Sequence, residues 1–194
     1  MGSFVTRKYI CDYGYELDGV IIMGTGHQPT PMVLAGKALA DITRFIKGDR
    51  YRSRLISKIM FGAYNKRIKN VRTSNDWLTR DETVVDEYNA GKLTTFLFTV
   101  NGYRGLMNMI LYVRKPRNIA KIPKNLPMLM VSGLDDPVGE YGKGVYRAYN
   151  TYHGHIDDID LRLFEDCRHE LCNELNKEEI YEEIYGWIMD HMNK

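Results

Sequence analysis

The sequence predicts an α/β fold in which parallel strands are flanked by helices and carry an inserted helical cap. Three short apolar runs occur at residues 17–26, 126–133 and 159–164. Segments with helical periodicity follow the second and third runs, and a long helix-rich stretch separates the first run from the second. Strands that alternate with helices over short connections are typical of a parallel sheet.

The first thirteen residues are predicted to form a helix. Met1, Phe4, Val5 and Tyr9 recur at spacings of three to four residues, which is the period of one helix face. Arg7 lies elsewhere on the turn. The pattern therefore predicts a helix whose apolar side carries these four residues and leaves Arg7 outside it.

The three apolar runs are predicted to be the core strands. The first, LDGVIIMGTG, is continuous and ends in glycines, which is typical of a strand buried on both faces. The second, LPMLMVSG, begins with a proline near its start, where a strand tolerates one. The third, IDLRLF, alternates apolar and charged residues.

Two amphipathic segments supply the predicted flanking helices. KGVYRAYNTYH lies between the second and third strands and is predicted to be a crossover helix. NKEEIYEEIYGWIMDHM follows the third strand, and Ile180, Ile184, Trp187 and Ile188 form its predicted buried face. Only three strands can be identified, although sheets usually have about five or six. The chain is therefore expected to be the C-terminal portion of a larger fold.

The chain is predicted to have three segments. Residues 1–26 form a core fragment with the first helix and strand, and residues 116–194 form the remaining core with its acid and histidine loops. Residues 27–115 are rich in helix formers and break the strand–helix alternation. An insertion of this length between two strands predicts a helical cap or lid.

The charge is small overall and uneven along the chain. Lys and Arg number 27 and Asp and Glu 25, a net charge of +2, so the total charge does not indicate a dedicated nucleic-acid binder and none is expected. Residues 44–72 carry ten basic residues against one acidic, whereas residues 157–190 carry twelve acidic against three basic. The basic stretch is interpreted either as a solvated helix face or as a surface for peripheral contact with an anionic membrane.

Composition also indicates the compartment and the cofactors. Three cysteines are too few for a disulfide framework and predict a cytoplasmic, reducing setting. No stretch approaches the roughly 20 apolar residues of a membrane span. His153 and His155 could belong to a metal site, but HGH before a strand is more typical of a solvated turn. Cys167, His169 and Cys172 are closely spaced but lack a second pair of ligands for a tetrahedral zinc site, so no metal and no cofactor are expected.

Acidic and imidazole side chains follow two predicted strands. Asp135 and Asp136 come directly after the second strand, and His169 follows the third. The carboxyl ends of parallel strands meet at one sheet edge, so these groups are expected to lie close together. An acid and a histidine in this order can form the orienting pair of a hydrolytic triad. Asp-Asp-Pro is also a good turn in its own right, which is the alternative interpretation.

The nucleophile of such a triad is missing from the sequence. No G-x-S-x-G elbow occurs in the chain. Ser3 would lie within the first helical turn, past the corner that exposes a nucleophile, and is not expected to be catalytic. However, such an elbow continues after its serine into a helix, and Met1 and Gly2 are likewise followed by an amphipathic helix.

Several segments resemble one branch of the α/β-hydrolases, which includes serine aminopeptidases, lysophospholipases and monoacylglycerol lipases. The segments are MGSF, ELDGVIIMGTG, SKIMFGAYNKRI, NDWLTRDE, SGLDDPVGEYGKGV and CRHELCNE. The resemblance implies that Asp136 is the catalytic acid, that His169 is the base, and that the backbone N–H of Met1 belongs to the oxyanion hole. It also implies that residues 27–115 are a cap around an acyl-chain pocket. The chain would then start just after the nucleophile serine.

The resemblance implies a serine hydrolase that cleaves carboxylic esters of lipids, such as lysophospholipids or monoacylglycerols. Its partner is a small-molecule lipid ester, and without the nucleophile this chain is expected to be inactive alone. The alternative is a non-catalytic binding module that uses the basic cap on anionic surfaces. The sequence makes no prediction about oligomeric state.

Overall fold

Three parallel strands form the centre of the protein in the computed structural model, which describes residues 1–192. They are β1 (Val20–Met23), β2 (Met128–Gly133) and β3 (Ile159–Phe164), in the order β1–β2–β3. Val20 pairs with Met128, and Met128 in turn pairs with Ile159. The predicted parallel α/β fold is therefore confirmed, although β1 is shorter than the apolar run that predicted it.

Helices make up most of the remaining described chain. They are α1 (Gly2–Tyr13), α2 (Thr30–Lys47), α3 (Arg54–Phe61), α4 (Glu82–Ala90), α5 (Val100–Tyr112), α6 (Pro116–Ile119), α7 (Lys143–His153) and α8 (Lys177–Met192). The helices predicted before and after β3 are α7 and α8. Within residues 1–192, no helix has both the length and the apolar character needed to cross a bilayer.

Helices pack on both faces of the sheet, and alternate side chains of β2 point to opposite faces. Every residue of β2 is buried. Met128 and Met130 belong to the cluster on one face, whereas Leu129 and Val131 belong to the cluster on the other. The first cluster takes Ile10 and Cys11 from α1 and Ala148 and Tyr152 from α7. The second takes Ile180 and Trp187 from α8. A strand buried on both faces requires the continuous apolar run seen in the sequence.

The buried side of α1 differs from the predicted one. Val5 and Tyr9 are about half exposed, whereas Arg7 is only 1% exposed. The predicted apolar side was therefore wrong, apart from Phe4, which is buried. The physical reason is the set of acceptors that surrounds the Arg7 guanidinium, since a buried charge must be hydrogen-bonded.

Arg7 joins α1 to the end of β1 and to α7. Its Nε donates to the Tyr152 hydroxyl at 3.0 Å, and its Nη1 donates to Thr25 Oγ1 at 3.1 Å and to the Gly26 carbonyl at 2.9 Å. The Tyr152 hydroxyl then donates to the Val113 carbonyl at 3.0 Å. These bonds connect segments that lie far apart along the chain.

The described residues between 27 and 115 contain helices and turns but no strand. Helix α5 packs against α2 and also reaches α1, with Val33, Leu106 and Phe4 in one shared hydrophobic cluster. A second cluster, formed by Ala40, Ile56, Val100 and Tyr103, joins α2, α3 and α5. The division of the chain at residues 27 and 115 stays a prediction.

His27 lies beside three arginines. Its Nε2 is 2.5 Å from Arg114 Nη2, and a guanidinium can only donate, so this nitrogen accepts. Burial lowers the pKa of His27 to about 4, and the positive charges of Arg114, Arg7 and Arg147 act in the same direction. The ring is therefore neutral in the folded protein near neutral pH.

Replacement of Arg7 tests the buried network. Arg7→Leu removes the three buried hydrogen bonds that Arg7 donates to Thr25, Gly26 and Tyr152, so the free energy of unfolding should fall by about 3 kcal/mol. Urea denaturation followed by circular dichroism measures this change. The control Lys8→Leu alters a half-exposed residue of the same helix, whose ion pair with Asp12 lies near the surface, and should cost less than about 1 kcal/mol. Equal effects from the two variants would show that the Arg7 bonds do not stabilise the fold.

A second prediction concerns pH. The unfolded chain protonates His27 near pH 6.5, whereas the folded protein does so only near pH 4. Below pH 6.5 the unfolded state therefore binds more protons, and wild-type stability should fall relative to His27→Gln as pH decreases through this window. Urea unfolding of both proteins at about pH 7.5 and pH 5 measures the difference. A difference that does not change with pH contradicts the assignment.

Candidate active site

Asp136 lies in the loop after β2, and its carboxylate is completely buried. The Val138 backbone N–H donates to Oδ1 at 2.8 Å, and Ser132 Oγ lies 3.5 Å from Oδ2. Asp135, by contrast, is exposed, and its backbone N–H donates to the Cys167 carbonyl at 2.9 Å. Of these two neighbouring aspartates, Asp136 is thus a buried hydrogen-bond acceptor and Asp135 is a solvent-exposed turn residue.

His169 lies in the loop after β3 and contacts Asp136 directly. Its Nδ1 is 2.9 Å from Asp136 Oδ2, and its side chain is 19% exposed. A carboxylate only accepts, so Nδ1 carries the proton of this bond. In the neutral ring, Nε2 then keeps a lone pair with which it can take a proton from another group. The structure brings these two predicted site residues together, and their catalytic roles stay a prediction.

Two glycines allow the loops to approach each other this closely. Gly24 follows β1 with φ of +58°, and a Cβ atom there would lie 2.9 Å from His169 Cε1. At Gly133, the last residue of β2, a Cβ atom would lie 2.0 Å from the Cys167 carbonyl oxygen. A side chain at either position would displace the histidine loop. The glycines at the ends of the apolar runs were visible in the sequence, but their contacts with this loop were not.

A second buried carboxylate, that of Glu174, accepts hydrogen bonds from the loop that carries His169 and from Arg80. Glu174 Oε1 accepts from the Arg168 backbone N–H at 2.7 Å, and Oε2 accepts from Arg80 Nε at 2.9 Å. Arg168 Nη1 also donates to the carbonyls of Asp76 and Thr79, at 2.7 and 2.9 Å. These bonds fasten residues 76–80 to the loop that carries His169. No spacing in the sequence indicates this role for Glu174.

Aromatic rings cover one side of the imidazole. The centroid of the Trp77 ring lies 5.1 Å from that of His169 and 4.9 Å from that of Tyr64. Burial raises the pKa of Tyr64 to about 12, and the negative charge of Asp136 adds to this shift. The tyrosine therefore stays neutral near neutral pH, and the acid–histidine pair lies against a largely apolar wall.

A cavity of about 830 Å³ lies beside His169. Much of its apolar lining comes from α3, α5 and residues 93–98, and includes Phe61, Leu93, Phe96, Leu97, Phe98 and Leu106. Serine, threonine and asparagine residues line much of the remainder. Met1 and Trp77 line the cavity close to the histidine. A space of this size and composition suits a small molecule with an apolar part.

Met1 lies at the beginning of α1 and faces the same cavity as His169. Its carbonyl accepts from the backbone N–H groups of Phe4 and Val5, at 3.0 and 3.3 Å, so its own N–H group is placed at the helix N-terminus. Burial lowers the pKa of its amino group, while the charge of Asp136 acts in the opposite direction. Donors at a helix N-terminus favour a negatively charged oxygen. The role of Met1 in an oxyanion hole stays a prediction.

One group of side chains in the described part of the chain could offer three metal ligands: Asp158, Asp160 and His191. These residues lie at the start of β3 and at the end of α8, whereas His169 follows the other end of β3. His191 Nε2 lies 3.2 Å from Asp158 Oδ2, and Trp187 Nε1 donates to Asp160 Oδ2 at 3.0 Å. The group is therefore separate from the acid–histidine pair.

A buried acid bonded to a histidine whose second nitrogen is free can act as a general base. Such a base takes a proton from a hydroxyl nucleophile or a water molecule, and the carboxylate stabilises the imidazolium that forms. The cavity beside the imidazole provides the space for a substrate. The arrangement thus has the parts needed to orient and activate a nucleophile.

Known structures with the same fold include several hydrolases. A carboxyl esterase from Bacillus coagulans aligns over 98% of this chain and 61% of its own, with 22% identity and a TM-score of 0.85. A monoglyceride lipase from Saccharomyces cerevisiae aligns over 97% and 59%, with 16% identity and a TM-score of 0.69. A monoacylglycerol lipase from Paleococcus ferrophilus aligns over 97% and 65%, with 16% identity and a TM-score of 0.68. The chain therefore spans about three-fifths of the length of the structures it matches.

No curated protein sequence matches the chain. The family model described as "Serine aminopeptidase, S33", however, matches residues 1–176, which is most of its length. This match agrees with the parallel sheet and with the resemblance seen in the sequence. The chain therefore belongs to the serine aminopeptidase S33 family of α/β-hydrolases.

Proposed function

We propose that this chain supplies the acid and the base of a hydrolase that cleaves carboxylic esters of lipids, such as monoacylglycerols or lysophospholipids. Asp136 is the acid, His169 is the general base, and the backbone N–H of Met1 is an oxyanion-hole donor. The observation that carries this proposal is the 2.9 Å bond between His169 Nδ1 and the buried Asp136 carboxylate, beside a large cavity.

The proposed nucleophile is the serine of the family's elbow, on the residue that would precede Met1. Its hydroxyl oxygen attacks the ester carbonyl carbon while His169 Nε2 takes the hydroxyl proton. The carbonyl oxygen becomes negative and is stabilised by backbone N–H groups, including that of Met1. His169 then protonates the departing alcohol, which leaves an acyl-enzyme. Water, activated by the same imidazole, releases the carboxylic acid and regenerates the serine.

Asp136 acts through His169 and does not take the proton itself. Its carboxylate holds the proton of the imidazole on Nδ1 and stabilises the positive charge that develops on the ring. Because Val138 already donates to the other carboxylate oxygen at 2.8 Å, the carboxylate is held in one orientation. This is the geometry that a positioned general base needs.

The cavity supports a lipid ester as the substrate class. About half of its lining residues are apolar or aromatic, and its volume of about 830 Å³ is within the usual range of small-molecule sites. Most lining residues belong to the predicted cap, residues 27–115, which we propose shapes the acyl-chain pocket. The neighbours described as a carboxyl esterase and as monoacylglycerol lipases agree with this class.

Activity measurements on a protein that includes the codons preceding Met1 test the proposal. Wild type should react with a fluorophosphonate probe and should hydrolyse short p-nitrophenyl esters. His169→Ala and Asp136→Asn should lose about 10³–10⁴-fold in kcat. The 194-residue chain alone should stay unlabelled.

His153→Ala is the matched control, because His153 is an exposed histidine at the end of α7. It should retain wild-type labelling and hydrolysis. If the extended wild-type protein folds but neither reacts with the probe nor hydrolyses esters, the proposed function is wrong. Full activity in His169→Ala would equally contradict the assigned base.

A further inference from the structure

Helix α2 is apolar on two faces, and only one of them is used inside the protein. Val33 and Ala40 are buried in clusters shared with α5. On the outside, Ile42, Phe45 and Ile46 are 58%, 93% and 66% exposed. An exposed phenylalanine next to two exposed isoleucines is an unusual surface for a helix of a soluble domain.

The exposed apolar residues of α2 form a continuous stripe. Ile42, Phe45 and Ile46 are spaced by three and four residues, which places them on one side of the helix. Ala38 and Leu34, four and eight residues before Ile42, extend the same side and are also exposed. We call these five residues the α2 stripe. It runs along most of an 18-residue helix.

Positive charge surrounds the C-terminal end of the α2 stripe. Residues 44–54 include five basic residues and one acid, Asp49, whose carboxylate pairs with Arg44 at 2.5 Å. Lys47, at the end of α2, and the neighbouring Arg50 are both exposed. A helix with an apolar face and basic residues around it is the pattern of an interfacial helix. Its basic residues complement anionic head groups.

Helix α3 repeats this pattern next to α2. Its inner residue Ile56 packs in the same cluster as Ala40, whereas Leu55 and Ile59 are exposed. Lys58 of the same helix is exposed as well. The two helices therefore add apolar and basic groups to the surface of one helical unit.

Exposed residues of α3 and of the segment 93–96 also line the cavity beside His169. Lys58 lines both the outer surface and the cavity. Leu93 and Phe96 also line the cavity and are largely exposed. A molecule at the outer surface of α3 and residues 93–96 is thus next to the cavity opening.

We propose that the α2 stripe docks on an anionic lipid surface. Ile42, Phe45 and Ile46 enter the region between head groups and acyl chains, while Lys47 and Arg50 contact the anionic head groups. The docking does not rest on the proposed ester hydrolysis.

Vesicle binding by the 194-residue chain tests the docking without any activity. Co-sedimentation is measured with phosphatidylcholine vesicles that contain phosphatidylserine at roughly 3:1, and with phosphatidylcholine alone. The chain should bind the anionic vesicles more strongly, and binding should weaken as salt increases. The double variant Phe45→Ser/Ile46→Ser should lower the partition coefficient about tenfold, because it removes the inserting side chains.

Tyr15→Ser/Tyr185→Ser is the matched control, because both tyrosines are largely exposed and lie outside residues 27–115. It should bind vesicles as wild type does, and circular dichroism should show that both double variants are folded. Equal loss in the two variants, or no binding by wild type, overturns the proposal. The proposal is also wrong if wild type does not bind vesicles but forms a dimer that the α2 double variant abolishes. In that case the α2 stripe would bind a second copy of the chain. Ester hydrolysis is measured separately, so failure of docking leaves the proposed function standing.

Discussion

The hydrogen bond between His169 and the buried carboxylate of Asp136 is the contact on which the site depends. A buried carboxylate must be hydrogen-bonded, and Asp136 is satisfied by the Val138 N–H and the imidazole. The register of β2 against β3 brings the two loops to one edge of the sheet. Gly24 and Gly133 then leave room for the loops to close. The sheet, the glycines and the acid–histidine pair therefore form one structural unit.

Arg7 and Glu174 show the same constraint elsewhere in the core. Each is an ionisable side chain that is almost completely buried, and each is surrounded by hydrogen-bond partners from distant parts of the chain. Arg7 joins α1 to the residues after β1, and Glu174 joins the histidine loop to residue 80. Leaving such a group unpaired would cost several kcal/mol. These polar contacts thus determine how the helices are placed relative to the sheet.

The strands and the helices around β3 could be predicted from the sequence because their signals are local. The run at residues 128–133 is apolar because β2 is buried on both faces. The buried side of α1 could not be predicted, because the partners of Arg7 lie 18 to 145 residues away. The bond between Glu174 and Arg80 spans 94 residues and leaves no spacing pattern. Asp136 was separated from Asp135 by the family resemblance, since either residue follows the strand at a suitable position.

The contact between Trp77 and His169 has a consequence for motion in the protein. Trp77 lies in the segment 76–79, and Arg168 donates hydrogen bonds to the carbonyls of Asp76 and Thr79 in that segment. A displacement of this segment would move the indole away from the imidazole. It would also displace Arg168, which precedes His169 in the chain. The packing of the indole on the imidazole and the position of the His169 backbone are therefore coupled, so a movement of residues 76–79 that exposes the imidazole also disturbs its hydrogen bond with Asp136.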